Sequence, residues 1–188
     1  MRITISGPPG SGKTSVCVLV ADRLGFKHVL VGQIFREMAA ERKLDLETFG
    51  RLAEENETID KELDDRIISL ARKSDDIVIE GRMTGALMKM MKVPVFAVYV
   101  TASEEVRVER IAKRENIVPD DVLQDIRARE RSEKKRYLAY YGIDPSDRNI
   151  YDLWVDSTDI PAEMIADMVI ARVKQADERN ALQVKEGK

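Results

Sequence analysis

Gly7-Pro8-Pro9-Gly10-Ser11-Gly12-Lys13-Thr14 fits the pattern G-x-x-x-x-G-K-[ST], and its flanks decide how it folds. Before it, Arg2-Ile3-Thr4-Ile5-Ser6 predicts a short strand. After it, Ser15 to Leu24 carries apolar residues at Val16, Leu19, Val20 and Leu24, the spacing of a helix face. Strand, glycine loop and helix in that order set a row of backbone N–H groups and a helix N-terminus around an anion. Glycines let the main chain wrap phosphate oxygens without a Cβ in the way. Lys13 can reach β- and γ-phosphates, and the Thr14 hydroxyl can hold Mg²⁺. An ordinary Gly/Pro turn is the alternative, but it requires neither the full spacing nor the Lys-Thr ending. The expected nucleoside triphosphate-binding residues are therefore Gly7, Pro8, Pro9, Gly10, Ser11, Gly12, Lys13, Thr14 and Ser15.

Outward from this loop, strands alternate with helices. Lys27–Val31, Ile77–Glu80, Val95–Val100 and Ile150–Val155 read as further strands, giving five in all. Residues 33–74 read as short amphipathic helices forming a lobe, and Met83–Lys92 and Ser103–Arg114 as further helices. Pro119 to Tyr141, closed by Gly142, is another, and a terminal helix opens at Pro161 and frays from Gln175 to Lys188. The alternation predicts an α/β fold of three layers, α/β/α, around a five-stranded parallel sheet. Ligands in such folds lie at the C-terminal strand ends, where the glycine loop, Glu80-Gly81-Arg82 and Thr101 all fall.

The composition narrows the possibilities. With 31 Lys and Arg against 34 Asp and Glu in 188 residues, the net charge of −3 gives no general case for nucleic-acid or membrane-surface binding. A single cysteine, Cys17, rules out a disulfide framework and fits a small core residue. His28 has no partner pattern and reads as structural. The strand at Arg2 leaves no room for a signal peptide, and the longest apolar runs are too short to span a bilayer. A cytoplasmic monomer is the simplest expectation.

Any work on phosphates must come from local arginines, whose planar forks grip phosphate oxygens in two places. Arg107, Arg110 and Arg114 share one helix stripe, opposite Val108, Ile111 and Ala112. Arg129, Glu133 and Arg136 share another, within a run of six basic residues between 127 and 136. Alone, that run reads as a solvated helix; near a phosphate loop it can fold over the site as a lid. Arg82 follows Glu80-Gly81 at the end of a strand expected beside the loop strand, where Glu80 can hold a Mg²⁺-bound water. No general base stands out. A phosphate acceptor needs none, since its second pKa near ~6 leaves it anionic at neutral pH.

The chain resembles the nucleoside monophosphate kinases, and specifically the compact cytidylate kinases of archaea. The resemblance spans Gly7–Thr14, Gly32–Arg36, Ile59–Asp64, Ile79–Arg82, Val108–Arg114, Arg129–Tyr137, Tyr141–Asp144 and Ile150–Leu153. It implies phosphoryl transfer from ATP to CMP or dCMP with Mg²⁺. By that similarity Arg36 and Arg82 hold the acceptor phosphate, and Arg110 lies near the adenine. Arg114 lies near the transferring phosphates, Arg129 and Arg136 come from a mobile lid over about 115–142, and Glu133 meets the acceptor's sugar or base. The segment 33–74 becomes the acceptor-binding lobe. One departure stands out: many bacterial cytidylate kinases have Gly-Arg-Asp where this chain has Gly81-Arg82-Met83.

Other readings remain open at this level. Adenylate kinases typically carry Asp-Gly-Phe-Pro-Arg after the third strand, which is absent here. A kinase of a small alcohol lacks an evident base. A nucleotide-dependent switch lacks both an Asn-Lys-x-Asp motif and an Asp-x-x-Gly after the loop.

Overall fold

Ile77-Val78-Ile79-Glu80-Gly81 is buried at every position, as a strand covered on both faces must be. In the computed structural model, which describes the backbone of residues 1–186 and the side chains of residues 1–179, it is the third of five strands. They are β1 (Arg2–Ser6), β2 (Lys27–Leu30), β3 (Ile77–Gly81), β4 (Phe96–Thr101) and β5 (Leu153–Asp156). All pair in parallel in the order β2-β3-β1-β4-β5. β3 lies beside β1 with Ile5 opposite Glu80 and Ser6 opposite Gly81, so the glycine loop and Glu80-Gly81-Arg82 leave the sheet together.

The period of two along each strand divides the core. Ile3, Ile5 and Val78 face one side, packed with Val16 and Val20 of α1 (Lys13–Leu24) and Ile165 and Val169 of α8 (Ala162–Glu186). Ile77 and Ile79 face the other, with Met38, Phe49, Ile67 and Leu87. These come from α2 (Val31–Glu41), α3 (Leu46–Glu55), α4 (Glu57–Lys73) and α5 (Thr84–Met90). The segment expected as a lobe thus shares its apolar core with the sheet. Its helices start on side-chain caps, Asp45 accepting from Thr48 N at 2.8 Å and Asn56 from Thr58 N at 3.0 Å. Arg66 bridges Glu41 and Glu62, and Arg42 also reaches Glu62, tying α2 to α4.

A third cluster joins α6 (Glu104–Glu115) to the first half of α7 (Pro119–Tyr141), through Val108, Ile111, Val122 and Ile126. The second half of α7 lays Tyr137 and Tyr141 on the lobe's core. The 23-residue helix therefore spans from α6 to the lobe without a break.

Several boundaries differ from the sequence expectation. β2 stops at Leu30, its last residue paired to β3, and Val31 already opens α2, which brings Ile34 and Met38 inward. The segment from Ile150 is not strand at its start. Arg148–Ile150 is a 3-10 turn capped by the Asp147 carboxylate, which accepts from Asn149 N at 3.0 Å, so β5 begins at Leu153. The terminal helix, expected to fray from Gln175, continues through Glu186; Gly187 and Lys188 lie outside the described residues. Cys17 is fully buried, and burial pushes its thiol up to about 12, which suits an inert core residue. No described helix is long and apolar enough to cross a membrane.

Candidate active site

Gly7 and Gly10 adopt φ of 149° and 77°, a region that L side chains rarely enter. A Cβ on Gly7 would meet the Val100 carbonyl oxygen at 2.1 Å, and one on Gly10 the Arg107 carbonyl oxygen at 2.6 Å. The loop is therefore glycine both for its turn and for its packing on β4 and α6. It delivers the chain to Gly12, which caps α1 without any side-chain hydrogen bond, leaving the helix's first N–H groups open to an anion.

The structure gathers the expected residues around two cavities of about 470 and 460 Å³. The first is lined by Pro9 through Ser15, Arg110 and Arg114, with an apolar wall of Ile111, Ile117, Val122, Ile126 and Ile160. The second runs between α2, α4 and α7 and is lined by Arg36, Asp60, Glu80, Arg82, Met83, Glu133 and Arg136, among others. Lys13, Thr14, Arg82 and Arg129 line both. Gly7 and Pro8 instead line a smaller cavity of about 260 Å³ with Tyr99, Arg107 and Glu130.

At the shared wall Lys13 is buried, its Nζ donating to Pro8 O at 3.1 Å and lying 3.5 Å from Glu80 Oε1. Burial foremost, then the nearby Arg82 charge, lowers its pKa to about 8 although Glu80 pulls the other way. Arg82 Nε lies 3.5 Å from Glu133 Oε1, and its Nη1 is buried without a hydrogen bond. Arg129 is exposed and makes no hydrogen bond or ion pair to a described residue. Arg136 does not reach the first cavity; its Nε lies 3.2 Å from Asp60 Oδ2. Arg36 is exposed at the far wall of the second cavity, and Arg114 sits at the rim of the first with Glu115 at 2.6 Å.

Two positioning residues were given no site role by the sequence reading. Arg107, buried, donates from Nη1 to Glu130 Oε1 at 2.5 Å and to Pro9 O at 3.3 Å, so it ties α7 to the glycine loop. Ser157, after β5, donates to Ser11 O at 2.8 Å. It receives Arg110 Nη1 at 2.9 Å on its hydroxyl and Arg110 Nη2 at 2.7 Å on its carbonyl. Arg107's place in the stripe with Arg110 was a usable signal; nothing local marks Ser157.

Every carboxylate lining the second cavity has a protein partner within 3.5 Å, although Asp60 Oδ2 makes no hydrogen bond. Glu80 faces Lys13, Glu133 faces Arg82, Asp60 faces Arg136, Glu54 accepts from Ser132 and Asp64 accepts from Tyr141 Oη at 2.5 Å. Burial raises the Asp64 carboxyl to about 6 even with that donor present.

Comparison with known proteins agrees with this architecture. A model of the cytidylate kinase-like family matches residues 2–159. The chain is 41% identical over 174 residues to a cytidylate kinase of Archaeoglobus fulgidus, covering 93% of this chain and 95% of that one. It is 41% identical to one of Methanocaldococcus jannaschii, covering 92% and 97%. Among solved structures it is similar to a shikimate kinase from Acinetobacter baumannii, with a TM-score of 0.62, 17% identity and 93% of each chain covered. A gluconokinase from Sinorhizobium meliloti gives a TM-score of 0.62, 17% identity and coverage of 97% and 96%. At that identity these two speak to the fold alone, that of P-loop kinases.

Proposed function

The chain belongs to the cytidylate kinase-like family, a family of phosphoryl-transferring nucleotide kinases, and we propose that it moves the γ-phosphoryl group of Mg-ATP to the phosphate of CMP or dCMP. The observation that carries this reading is the wall common to both cavities. A triphosphate on the glycine loop and a monophosphate in the second cavity would meet at Lys13, Thr14, Arg82 and Arg129.

In this reading the open N–H groups of α1 and Lys13 bind the β- and γ-phosphates, while Arg110, held by Ser157, offers its guanidinium plane to the adenine. Arg82 and Arg36 receive the acceptor phosphate. Arg129, free of protein partners, comes to the transferring group, and Arg114 supports it from the rim. Charge neutralisation and alignment are what phosphoryl transfer needs most. The acceptor oxygen is already anionic, so no residue has to take a proton.

The residues present suit Mg²⁺. Thr14 offers an exposed hydroxyl at both cavities, and the Glu80 oxygens lie next to Lys13, within reach of a bound water. Among the described residues there is no group of three or more His, Cys, Asp or Glu poised for a metal. A sparse oxygen set is what an ion that keeps its waters and takes phosphate oxygens requires. When bound, Mg²⁺ supplies neutralisation of the bridging phosphate charge.

ADP formation from Mg·ATP with CMP, dCMP, UMP, AMP, GMP and shikimate offered separately tests the reading. Turnover concentrated on CMP and dCMP is expected; a preference for AMP or shikimate would overturn it. A second expectation follows from Lys13. In the free protein its charge is lost as pH rises through about 8, whereas bound phosphates favour the charged form. At pH 9, ATP binding should take up about one proton and weaken with further rise in pH. Calorimetry in two buffers of different ionisation enthalpy measures this; no uptake at pH 9 would remove Lys13 from the phosphate site.

A further inference from the structure

We propose that Arg107 and Glu130 form a strap between the glycine loop and α7 that holds Arg129 at the transferring phosphoryl group. The proposal rests on the phosphoryl-transfer reading above. It adds the positioning residues that keep in place an arginine with no protein partner of its own.

Three successive carbonyl oxygens of the loop are held from outside. Pro9 O accepts from Arg107 Nη1 at 3.3 Å, Gly10 O from Arg110 Nη1 at 3.4 Å and Ser11 O from the Ser157 hydroxyl at 2.8 Å. Arg110 turns its other contacts to Ser157. Arg107 turns its own to α7, the same Nη1 donating to Glu130 Oε1 at 2.5 Å. One nitrogen thus serves both the loop and α7, and neither partner can shift without straining the other contact. The loop also seats tightly here: a Cβ on Gly10 would lie 2.8 Å from Arg107 Cβ and 2.9 Å from its Cα.

The strap lies between the other attachments of α7. Ile126 is the last α7 residue in the apolar contact with α6, and Ser132 donates to Glu54 of α3. Arg129 falls in that interval, and Glu130 is the next residue. Successive helix residues point roughly 100° apart, so Glu130 braces a different side from the one Arg129 presents to the cavities. A brace there opposes rolling of α7 about its own axis. A roll of about 10° would carry a side-chain head ~6 Å from the axis by about 1 Å. A misplacement of that size can slow a reaction about 100-fold.

Burial separates this pair from an ordinary link between helices. The Arg107 side chain is 8% exposed and that of Glu130 35%, so the bond forms largely out of water, where a charge-assisted contact is strong. Arg127 and Glu104 also join α7 to α6, at 2.6 Å, but are 54% and 32% exposed. An ion pair in that setting contributes little. The second pair therefore serves as an internal control on the first.

The test measures kcat at saturating Mg·ATP and CMP, and the Kd of ATP, in wild type and a set of variants. Glu130→Ala should lower kcat about 10- to 100-fold and change the Kd of ATP by less than about threefold. Glu130→Gln keeps an acceptor oxygen and should recover most of that loss; a glutamine variant as slow as the alanine one overturns the strap. In an Arg129→Ala background, Glu130→Ala should cost less than about twofold. An undiminished cost there shows that Glu130 does not act through Arg129 and overturns the proposal. Arg127→Ala should keep wild-type kcat, and a loss equal to that of Glu130→Ala also overturns it. Should Glu130→Ala fail to fold, Arg107→Met, which keeps the volume of the buried stem, reads the same coupling to Arg129. That variant should also weaken ATP binding, since Pro9 O loses its donor. A wild-type preference for another monophosphate overturns the choice of CMP alone, and the strap is then read with that acceptor. No turnover with any monophosphate overturns both.

Discussion

Replacing Lys13 with alanine should lower kcat/KM for phosphoryl transfer about 10³-fold or more, with the protein still folded. Lys13 is the buried cation of the wall common to both cavities, anchored between Pro8 O and Glu80. In the proposed reaction its ammonium would sit where charge moves from donor to acceptor, in surroundings dry enough to lower its pKa to about 8. Fixed charge in such a setting acts more strongly than the same charge in water. The variant also leaves Glu80 with one fewer counter-charge, so a thermal melt should accompany the kinetics. Activity within tenfold of wild type in a normally melting protein would refute the phosphate-loop mechanism.

The second large effect is expected at Arg129. Arg129→Ala should reduce kcat about 10³-fold while changing the dissociation constant of ATP by less than about threefold. The reason is the side chain's freedom: it is exposed, unpaired among the described residues, and borders both cavities. An arginine so placed spends no binding energy on the protein and can act on the transferring group alone. Single-turnover kinetics with ATP binding measured separately would check this. A variant that binds ATP poorly but turns over normally once saturated would assign Arg129 to the donor site instead.

Much of the scaffold was readable because its signals are local. The glycine loop carries its spacing within eight residues, β3 and β4 are runs of apolar residues, and Gly142 ends α7 in the left-handed conformation expected of a helix stop. Even the neighbourhood of β1 and β3 followed from the strand order expected of such folds. The site's internal wiring was not readable, because it joins residues far apart in the chain. Arg110 meets Ser157 across 47 positions, Ser157 meets Ser11 across 146, and Arg136 meets Asp60 on a different helix. Patterning along α7 showed that Arg129, Glu133 and Arg136 share a face. It could not show that each finds a different neighbour, since that depends on how α7 lies across the sheet.

The unbroken course of α7 carries a consequence of leverage. Its first half is clamped to α6 by Val122 and Ile126, and Arg136 lies about 20 Å further along the same rod. A tilt of roughly 10° at that clamp would carry Arg136 some ~4 Å, by the arithmetic of a rigid helix, while Arg129, nearer the fulcrum, travels half as far. The apolar contact between α6 and α7 would thus act as a gear between the two cavities, converting a small angular change beside the first into a larger displacement at the far end of the second.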